Sequence, residues 1–442
     1  MTYPNDPKDL IRSLDRDQQD IAARDAERLE LEEGVAEEGL AGLVPGDGGP
    51  AGAPDAVDPS SFRGRRQWPL PKQADPNAPL LVVEDLRTYF SLESGSVKAV
   101  DGVSFTLADG EALGIAGESG CGKTTTALSL VRLLPPNARI VSGSVRLFGI
   151  DLLKKNETAI RRYRWREISV IFQGAMNALN PVQRVVDQIA EPIELRLGQS
   201  HDAAHRRAGE LLELGGIPRA RGRAYPHELS GGMRQRAMIA MALACDPAVV
   251  IGDEPTTALD VMVQAQILEL LERLRRELGL SLILITHDLS VIAETCDRVL
   301  VMYAGRVAED GSVAEVFRRP RHPYTQMLLR AFPNIRNDLR ELGTIPGSPP
   351  DLRTPPDGCR FHPRCPMVMD VCRTEQPPEV VAGGVRVACH LYTGEGAGEP
   401  VLVPATDVVT AGPITAAAPA AAPGPITAAR APDSAIAEGP AA

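Results

Sequence analysis

The sequence predicts an α/β protein built on a doubly wound, largely parallel sheet, with a helical subdomain and a small irregular Cys-containing C-terminal region. Three observations carry this. Short apolar strands alternate with helices between Ala112 and Tyr303, the pattern of a sheet covered on both faces. A glycine-rich loop follows one of those strands and opens a helix. A long helical stretch separates two strands that otherwise read as neighbours, which marks an inserted subdomain.

The elements follow in order. Leu80–Val83, Ala99–Leu107 and Ala112–Ala116 alternate or run apolar between turn residues and read as strands. A helix opens after Ala116 and runs to about Leu134, where Pro135-Pro136 stops it. A basic helical segment around Ile160–Arg166 leads into strand Ile168–Phe172, and a mostly helical stretch runs from Val185 to Leu243. Strand Ala248–Gly252, helix Val261–Leu278, strand Ser281–Thr286, helix Leu289–Thr295 and strand Arg298–Tyr303 complete the alternation.

The ends differ from this middle. Of the chain's net charge of -11, residues 1–80 contribute 9 Lys and Arg against 16 Asp and Glu. An acidic segment, Asp9–Leu43, precedes a Gly/Pro/Ala-rich linker; residues 1–79 are expected to be a mostly disordered extension. Leu14, Ile21 and Val35 fall at heptad multiples interrupted by Arg28, so a docking helix is the alternative. Residues 401–442 hold 15 Ala and 7 Pro, and residues 397–442 are expected to be a disordered tail.

Composition excludes several classes. With 442 residues, 43% hydrophobic and 24% charged, the chain is not disordered throughout. Its acidic balance argues against nucleic acid as a partner. No apolar run approaches the roughly 18–20 residues of a membrane span. Seven cysteines in a large chain do not suit a secreted disulfide scaffold, so a cytoplasmic location is expected.

Gly117-Glu118-Ser119-Gly120-Cys121-Gly122-Lys123-Thr124 has the strand–GxxxxGK[ST]–helix form. Its backbone N–H groups can wrap a phosphate, Lys123 can reach the β- and γ-phosphates, and the Thr124 hydroxyl can ligate Mg²⁺. Cys121 lies inside this loop, so its thiol is expected beside the nucleotide. Strand Val249–Gly252 ends in Asp253 and Glu254, suited to holding Mg²⁺ through water and to polarising an attacking water. Leu229-Ser230-Gly231-Gly232-Met233-Arg234-Gln235 places a second anion site at a helix start. The plainer reading is an N-cap and turn; the functional one is two chains packed head to tail, each completing the other's site.

These elements together resemble the ATP-binding cassette ATPases, over about residues 80–315. The resemblance makes Gly117–Thr124, with Thr125, the phosphate loop, and Ser230, Gly231 and Gly232 the signature. It adds Gln173 as a sensor of γ-phosphate and Mg²⁺ beside Thr124 and Asp253. Asp260 falls in the D-loop Ala258-Leu259-Asp260, and His287 is the residue that contacts the γ-phosphate and holds Glu254. Phe90 is implied as the aromatic stacking on adenine, with Tyr89 as the alternative. ATP and Mg²⁺ are the implied ligands, and Glu254, His287 and Gln173 the implied catalytic group.

Three further stretches narrow the resemblance to oligopeptide and dipeptide importer ATPases: Gln173–Pro181, Arg321-His322-Pro323-Tyr324-Thr325, and Ile345–Pro350 with the cysteine-bearing run from Gly358. It implies a peripheral subunit on the cytoplasmic face of the membrane. Its implied partners are two permease subunits, a homologous second ATPase chain in a heterodimer, and an extracytoplasmic solute-binding protein. Some such relatives handle nickel. A soluble cassette ATPase acting on DNA or the ribosome is the rival class, disfavoured by the single cassette and the importer-like tail. The expected domains are a cassette over 80–330, with its helical subdomain at about 174–245, and a C-terminal region over 331–396.

Cys359, Cys365, Cys372 and Cys389 cluster within that region. Four thiolates suit a tetrahedral zinc or a four-iron cluster, and their loose spacing leaves room for the larger group. The resemblance implies iron–sulfur binding in some members; zinc and plain structural thiols stay open. This region is expected to form a domain separate from the phosphate loop. Cys245 and Cys296 read as packing residues.

Overall fold

The computed structural model describes residues 79–93, 95–174, 178–257, 259–331 and 344–393. The expected extension over 1–79 (save Pro79) and tail over 397–442 lie outside these residues, as do Ala175–Asn177 and Ala258.

Two sheets form the frame. Strands β1 (Leu81–Leu92), β2 (Gly95–Leu107), β4 (Ala138–Leu147) and β5 (Ile150–Asp151) make an antiparallel sheet in the order β2-β1-β4-β5. The main sheet has eight strands. Its parallel part is β9 (Arg298–Tyr303), β3 (Ala112–Ala116), β8 (Ser281–Ile285), β7 (Val249–Asp253) and β6 (Ile168–Ile171), adjacent in that order. Period-two alternation divides the buried side chains between two layers. Leu113 and Ile115 of β3, with Ile283 and Ile285 of β8, face the antiparallel sheet and α1 (Lys123–Leu130). Ala112 and Ala116, with Leu282 and Leu284, face the core built by α3 (Val185–Leu197), α4 (His201–Leu214), α5 (Gly231–Ala242), α6 (Val261–Leu278) and α7 (Leu289–Thr295). This is the doubly covered sheet that the sequence predicts.

Several elements depart from expectation. Helix α1 stops at Leu130 rather than Leu134, before the prolines can act. Arg132 takes a left-handed conformation at φ 54, and Leu133 N–H donates back to Leu128 O at 2.9 Å. That geometry closes a helix C-terminus. Arg164 holds the turn by donating to the carbonyls of Val131 and Arg132 at 2.8 and 2.9 Å. The basic segment near Ile160 is a helix only over Glu157–Arg161 (α2), capped by Asn156. Strand β4 is unheralded in the sequence because its alternation breaks at Gly143. That residue sits at φ 108, where a Cβ would come within 2.7 Å of Asp85 O. The helical stretch from Val185 is interrupted at left-handed Gly198 and by two 3-10 turns before Ser230.

The cysteine-bearing region is irregular over most of residues 344–378, as expected, but it ends on the main sheet. After β10 (Arg306–Ser312), α8 (Val313–Arg318), α9 (Pro323–Arg330) and α10 (Val371–Thr374), the hairpin β11 (Glu379–Ala382) and β12 (Val385–Ala388) joins the main sheet. Strand β12 pairs antiparallel with β10, and β10 with β9, giving the order β11-β12-β10-β9-β3. Short strands of Val and Arg between Pro and Gly give little periodic signal, and the unsatisfied edge of β10 supplies what the local sequence does not.

Candidate functional site

The phosphate loop follows β3 and is shaped by glycines that no other residue can replace. A Cβ on Gly117 (φ 145) would lie 2.2 Å from Met302 O, and one on Gly122 (φ 104) would lie 2.2 Å from Ala99 O. Lys123 is buried and spans the loop, its Nζ donating to the carbonyls of Gly117 at 2.7 Å and Glu118 at 3.1 Å. Ser119 and Gly120 form the exposed turn of the loop, and Thr125 lies in the first turn of α1.

Thr124 and Asp253 are brought together across 129 residues of sequence: the Thr124 hydroxyl donates to Asp253 Oδ1 at 3.0 Å. Asp253 ends β7 at 2% exposure. Burial raises its pKa, the neighbouring Glu254 charge adds to the rise, and the Thr124 hydrogen bond with the Lys123 charge opposes it. A buried carboxylate facing a hydroxyl is a hard-oxygen donor set that fits Mg²⁺.

Glu254 has the opposite setting. It sits at φ 48 just past the strand, its N–H donating to Ile285 O at 2.8 Å, so the chain turns there under strain and the carboxylate leaves the core. Three side chains meet it. Gln173 Nε2 donates to Oε2 at 2.8 Å, the Thr257 hydroxyl donates to Oε2 at 3.1 Å, and His287 Nδ1 lies 3.4 Å from Oε1. Gln173 follows β6 and His287 follows β8, so the two parallel strands that flank β7 present them on either side of Glu254 at the strand ends, where α/β sheets bind ligands. Sequence reading did not single out Thr257. Its spacing of three from Glu254 at a strand end is the signal that could have found it.

Ser230 caps α5, accepting Met233 N–H at 3.3 Å, and Asp260 caps α6, accepting Val263 N–H at 3.0 Å. The two helix starts abut, since a Cβ on Gly232 would lie 2.8 Å from Val263 Cγ1. Gly231 opens α5 beside it. Among the described residues, no hydrogen bond joins Ser230–Gly232 to the phosphate loop. Val261 and Met262, next to Asp260, are 82% and 72% exposed.

On β1, Thr88 meets Ser129 of α1 through their hydroxyls at 2.8 Å, while Tyr89 on the opposite face donates its hydroxyl to Asp101 at 2.6 Å. Phe90 is half-buried and follows a register shift in the pairing of β1 with β2. Tyr89 is committed elsewhere, which favours Phe90 as the aromatic of the site.

Cys121 corrects an expectation. It is 4% exposed, its sulfur 3.8 Å from Lys123 Nζ and packed beneath Gly117, and burial pushes the thiol up. The thiol is therefore not open to solvent, as its labelling beside the nucleotide would need. Cys245 and Cys296 are buried and pushed up to about 12, as packing residues should be.

The four clustered cysteines converge from three segments. Burial raises Cys359 to about 11 and Cys389 to about 12; Cys389 also feels the charges of Cys359, Cys365 and Cys372. The backbone N–H dipoles of Phe361, Met367 and Leu391 oppose that rise at Cys359, Cys365 and Cys389. Each is the residue two positions on.

A phosphate loop facing a buried aspartate and a glutamate held by glutamine and histidine defines a nucleoside-triphosphate hydrolase. The family described as ABC transporter matches residues 100–257, and that described as oligopeptide/dipeptide transporter, C-terminal region, matches residues 308–372. A probable peptide ABC transporter ATP-binding protein of Sinorhizobium fredii is 50% identical over 310 residues, covering 69% of this chain and 92% of that one. The oligopeptide transport ATP-binding protein OppD of Salmonella typhimurium is 49% identical over 312 residues, covering 70% and 93%. The dipeptide transport ATP-binding protein DppD of Caldanaerobacter subterraneus is 42% identical over 316 residues, covering 71% and 97%. The chain belongs to the oligopeptide/dipeptide branch of the ABC transporter ATPases. Among the described residues, no helix is long and apolar enough to cross a membrane.

Proposed function

We propose that this chain powers uptake of di- or oligopeptides through a membrane permease by hydrolysing ATP. The observation that carries this reading is the gathering of Gln173, Thr257 and His287 on Glu254, beside the Thr124–Asp253 pair. The loop N–H groups and Lys123 bind the phosphates, Lys123 moving from its carbonyl acceptors to the β/γ oxygens. Thr124, Asp253 and Gln173 would hold Mg²⁺, which when bound neutralises charge on the phosphate oxygens. Glu254 takes the proton of the attacking water, and His287 orients that carboxylate and the γ-phosphate. Phe90 stacks on adenine.

Ser230, Gly231, Gly232 and Asp260 act on the site of a second ATPase chain packed head to tail, homologous to this one. The exposed apolar pair Val261 and Met262 beside them supports an interface there. The assembly sits peripherally on the cytoplasmic face of the membrane, on two permease subunits served by an extracytoplasmic binding protein. The cassette over 80–330, with its helical subdomain over about 174–245, carries the chemistry.

Cys359, Cys365, Cys372 and Cys389 would hold a four-iron cluster. What supports this is the donor set: four cysteines in one region, with the thiolates of Cys359, Cys365 and Cys372 near enough to raise the proton affinity of Cys389, a repulsion that a metal charge would offset. Zinc is the alternative to be excluded by metal analysis.

Uptake of labelled peptide against nickel in a deletion strain tests the transport reading. Complementation by wild type but not by Lys123→Ala, for peptide alone, is expected; restored nickel uptake without peptide uptake would overturn it.

A further inference from the structure

The residue after the first loop glycine is held from outside the cassette motifs. Both terminal nitrogens of Arg364 grip the Glu118 carboxylate, at 2.7 and 3.0 Å. The backbone N–H of Glu118 is donated to the buried Tyr324 hydroxyl at 2.8 Å. Its carbonyl accepts Lys123 Nζ at 3.1 Å. One residue of the phosphate loop is thus fixed at three points, by Arg364 of the C-terminal region, by Tyr324 near the end of the cassette and by Lys123.

Arg364 is itself fixed. It is 6% exposed in its side chain, donates through Nε to Pro346 O at 2.8 Å, and reaches the Tyr303 hydroxyl at 3.2 Å. The rings of Tyr303, Tyr324 and Phe361 pack together beside it, with centroids 4.6–5.4 Å apart. It directly precedes Cys365. At the other end of the same segment, Arg360 follows Cys359 and pairs with Asp101, the acceptor of the Tyr89 hydroxyl next to Phe90. The short run between two cysteines therefore touches the phosphate loop through Arg364 and, through Asp101, the Tyr89 hydroxyl of β1. A forked, shielded guanidinium–carboxylate pair fixes geometry far better than an exposed ion pair.

We infer that Arg364 is a positioning residue for ATP: through Glu118 it sets the phosphate loop and the resting place of Lys123, so that nucleotide affinity depends on the order of the Cys359–Cys365 segment. This rests on the phosphate loop being the ATP site.

The test is a set of ATP affinities and Michaelis constants on the full chain for Arg364→Gln, Glu118→Gln, the double variant and Arg364→Lys. Each Gln variant should weaken ATP about tenfold, raising KM with kcat largely kept. The double variant should be no weaker than either single one, because the two act as a unit. Arg364→Lys, which keeps charge without the fork, should recover part of the loss. Additive losses, or unchanged affinity in the folded fraction of Arg364→Gln with only a lower melting temperature, would overturn the inference. Should Arg364→Gln not fold, Glu118→Gln decides alone, and wild-type affinity there refutes it. Undiminished ATP binding by Lys123→Ala would instead sink the ATP-site reading beneath it.

Discussion

The two ends of the eight-stranded sheet are held together by different forces. The parallel end, β3, β8, β7 and β6, is buried on both faces by aliphatic side chains and positions its chemistry through backbone. Gly117, Gly122 and the strained turn at Glu254 are set by strands that have little freedom to move. The antiparallel end, β10, β12 and β11, sends Val307, Ala308 and Val385 into the main cores and adds a small satellite of Val387, Cys389 and Tyr392. It is fastened by charge as well: Arg386 to Asp310, Arg360 to Asp101, Arg364 to Glu118. Removing one partner of a shielded pair costs about 3–5 kcal/mol, against about 0–1 for a surface pair. Chemistry is thus concentrated where packing is redundant, and the attachment that can be loosened selectively lies at the other end.

The strongest way to break this contrast is Lys123→Ala. Hydrolysis should fall about 100-fold or more while the melting temperature barely moves, since the loss is of phosphate binding rather than packing. Steady-state turnover and calorimetry on one preparation check both halves.

Cys→Ser at Cys359, Cys365, Cys372 or Cys389 should give the reverse. Anaerobically purified protein should lose its brown colour and its roughly four irons per chain. A lower melting temperature should accompany a moderate loss of ATP affinity, because Cys365 adjoins Arg364. Colourless wild-type protein carrying one zinc would replace the cluster; metal-free protein with four titratable thiols would remove both.

Cys121 sharpens the parallel end. Because its thiol is buried and pushed up, maleimide labelling in native protein should be slow whether or not MgATP is present. Rapid labelling that nucleotide suppresses would put the thiol on the upper side of the loop.

The smallest expected effect is a pH dependence at the antiparallel end. Burial pushes Glu309 up to about 7, although the N–H groups of Arg321 and His322 donate to its oxygens at 2.8 and 2.9 Å. Between pH 4.5 and 7 the folded chain keeps a proton that the unfolded chain has lost, so this group's contribution to stability falls as pH rises. His322, pulled down to about 4 by burial, works oppositely: its contribution rises between pH 4 and 6.5. The melting difference between wild type and Glu309→Gln should therefore shrink from pH 4.5 to 7, and a flat difference would contradict the burial argument.

The same contrast explains what could be read from sequence. Helices Val261–Leu278 and Leu289–Thr295 and strand Arg298–Tyr303 match the apolar periodicity to the residue, because local pattern and tertiary burial agree there. Asp253 and Glu254 were legible as acids at a strand end, whereas Gln173 and His287 were reached only through the family resemblance. The hairpin over residues 379–388 was not legible, since its strands are defined by the open edge of β10 rather than by their own pattern. Nor was the Arg364–Glu118 pair, which joins residues 246 apart and has no motif. Cys121 misled for a related reason: loop membership says nothing about whether a thiol is open to solvent.

The most direct measurement is phosphate release by Glu254→Gln, in the reconstituted transporter with ATP and Mg²⁺, alongside ATP affinity and dimer lifetime. Affinity should be retained, release should slow by about 100-fold or more, and a closed dimer should persist, because the phosphate clamps stay while water activation is lost. Turnover near that of wild type would contradict Glu254 as the group that Gln173, Thr257 and His287 are gathered to hold.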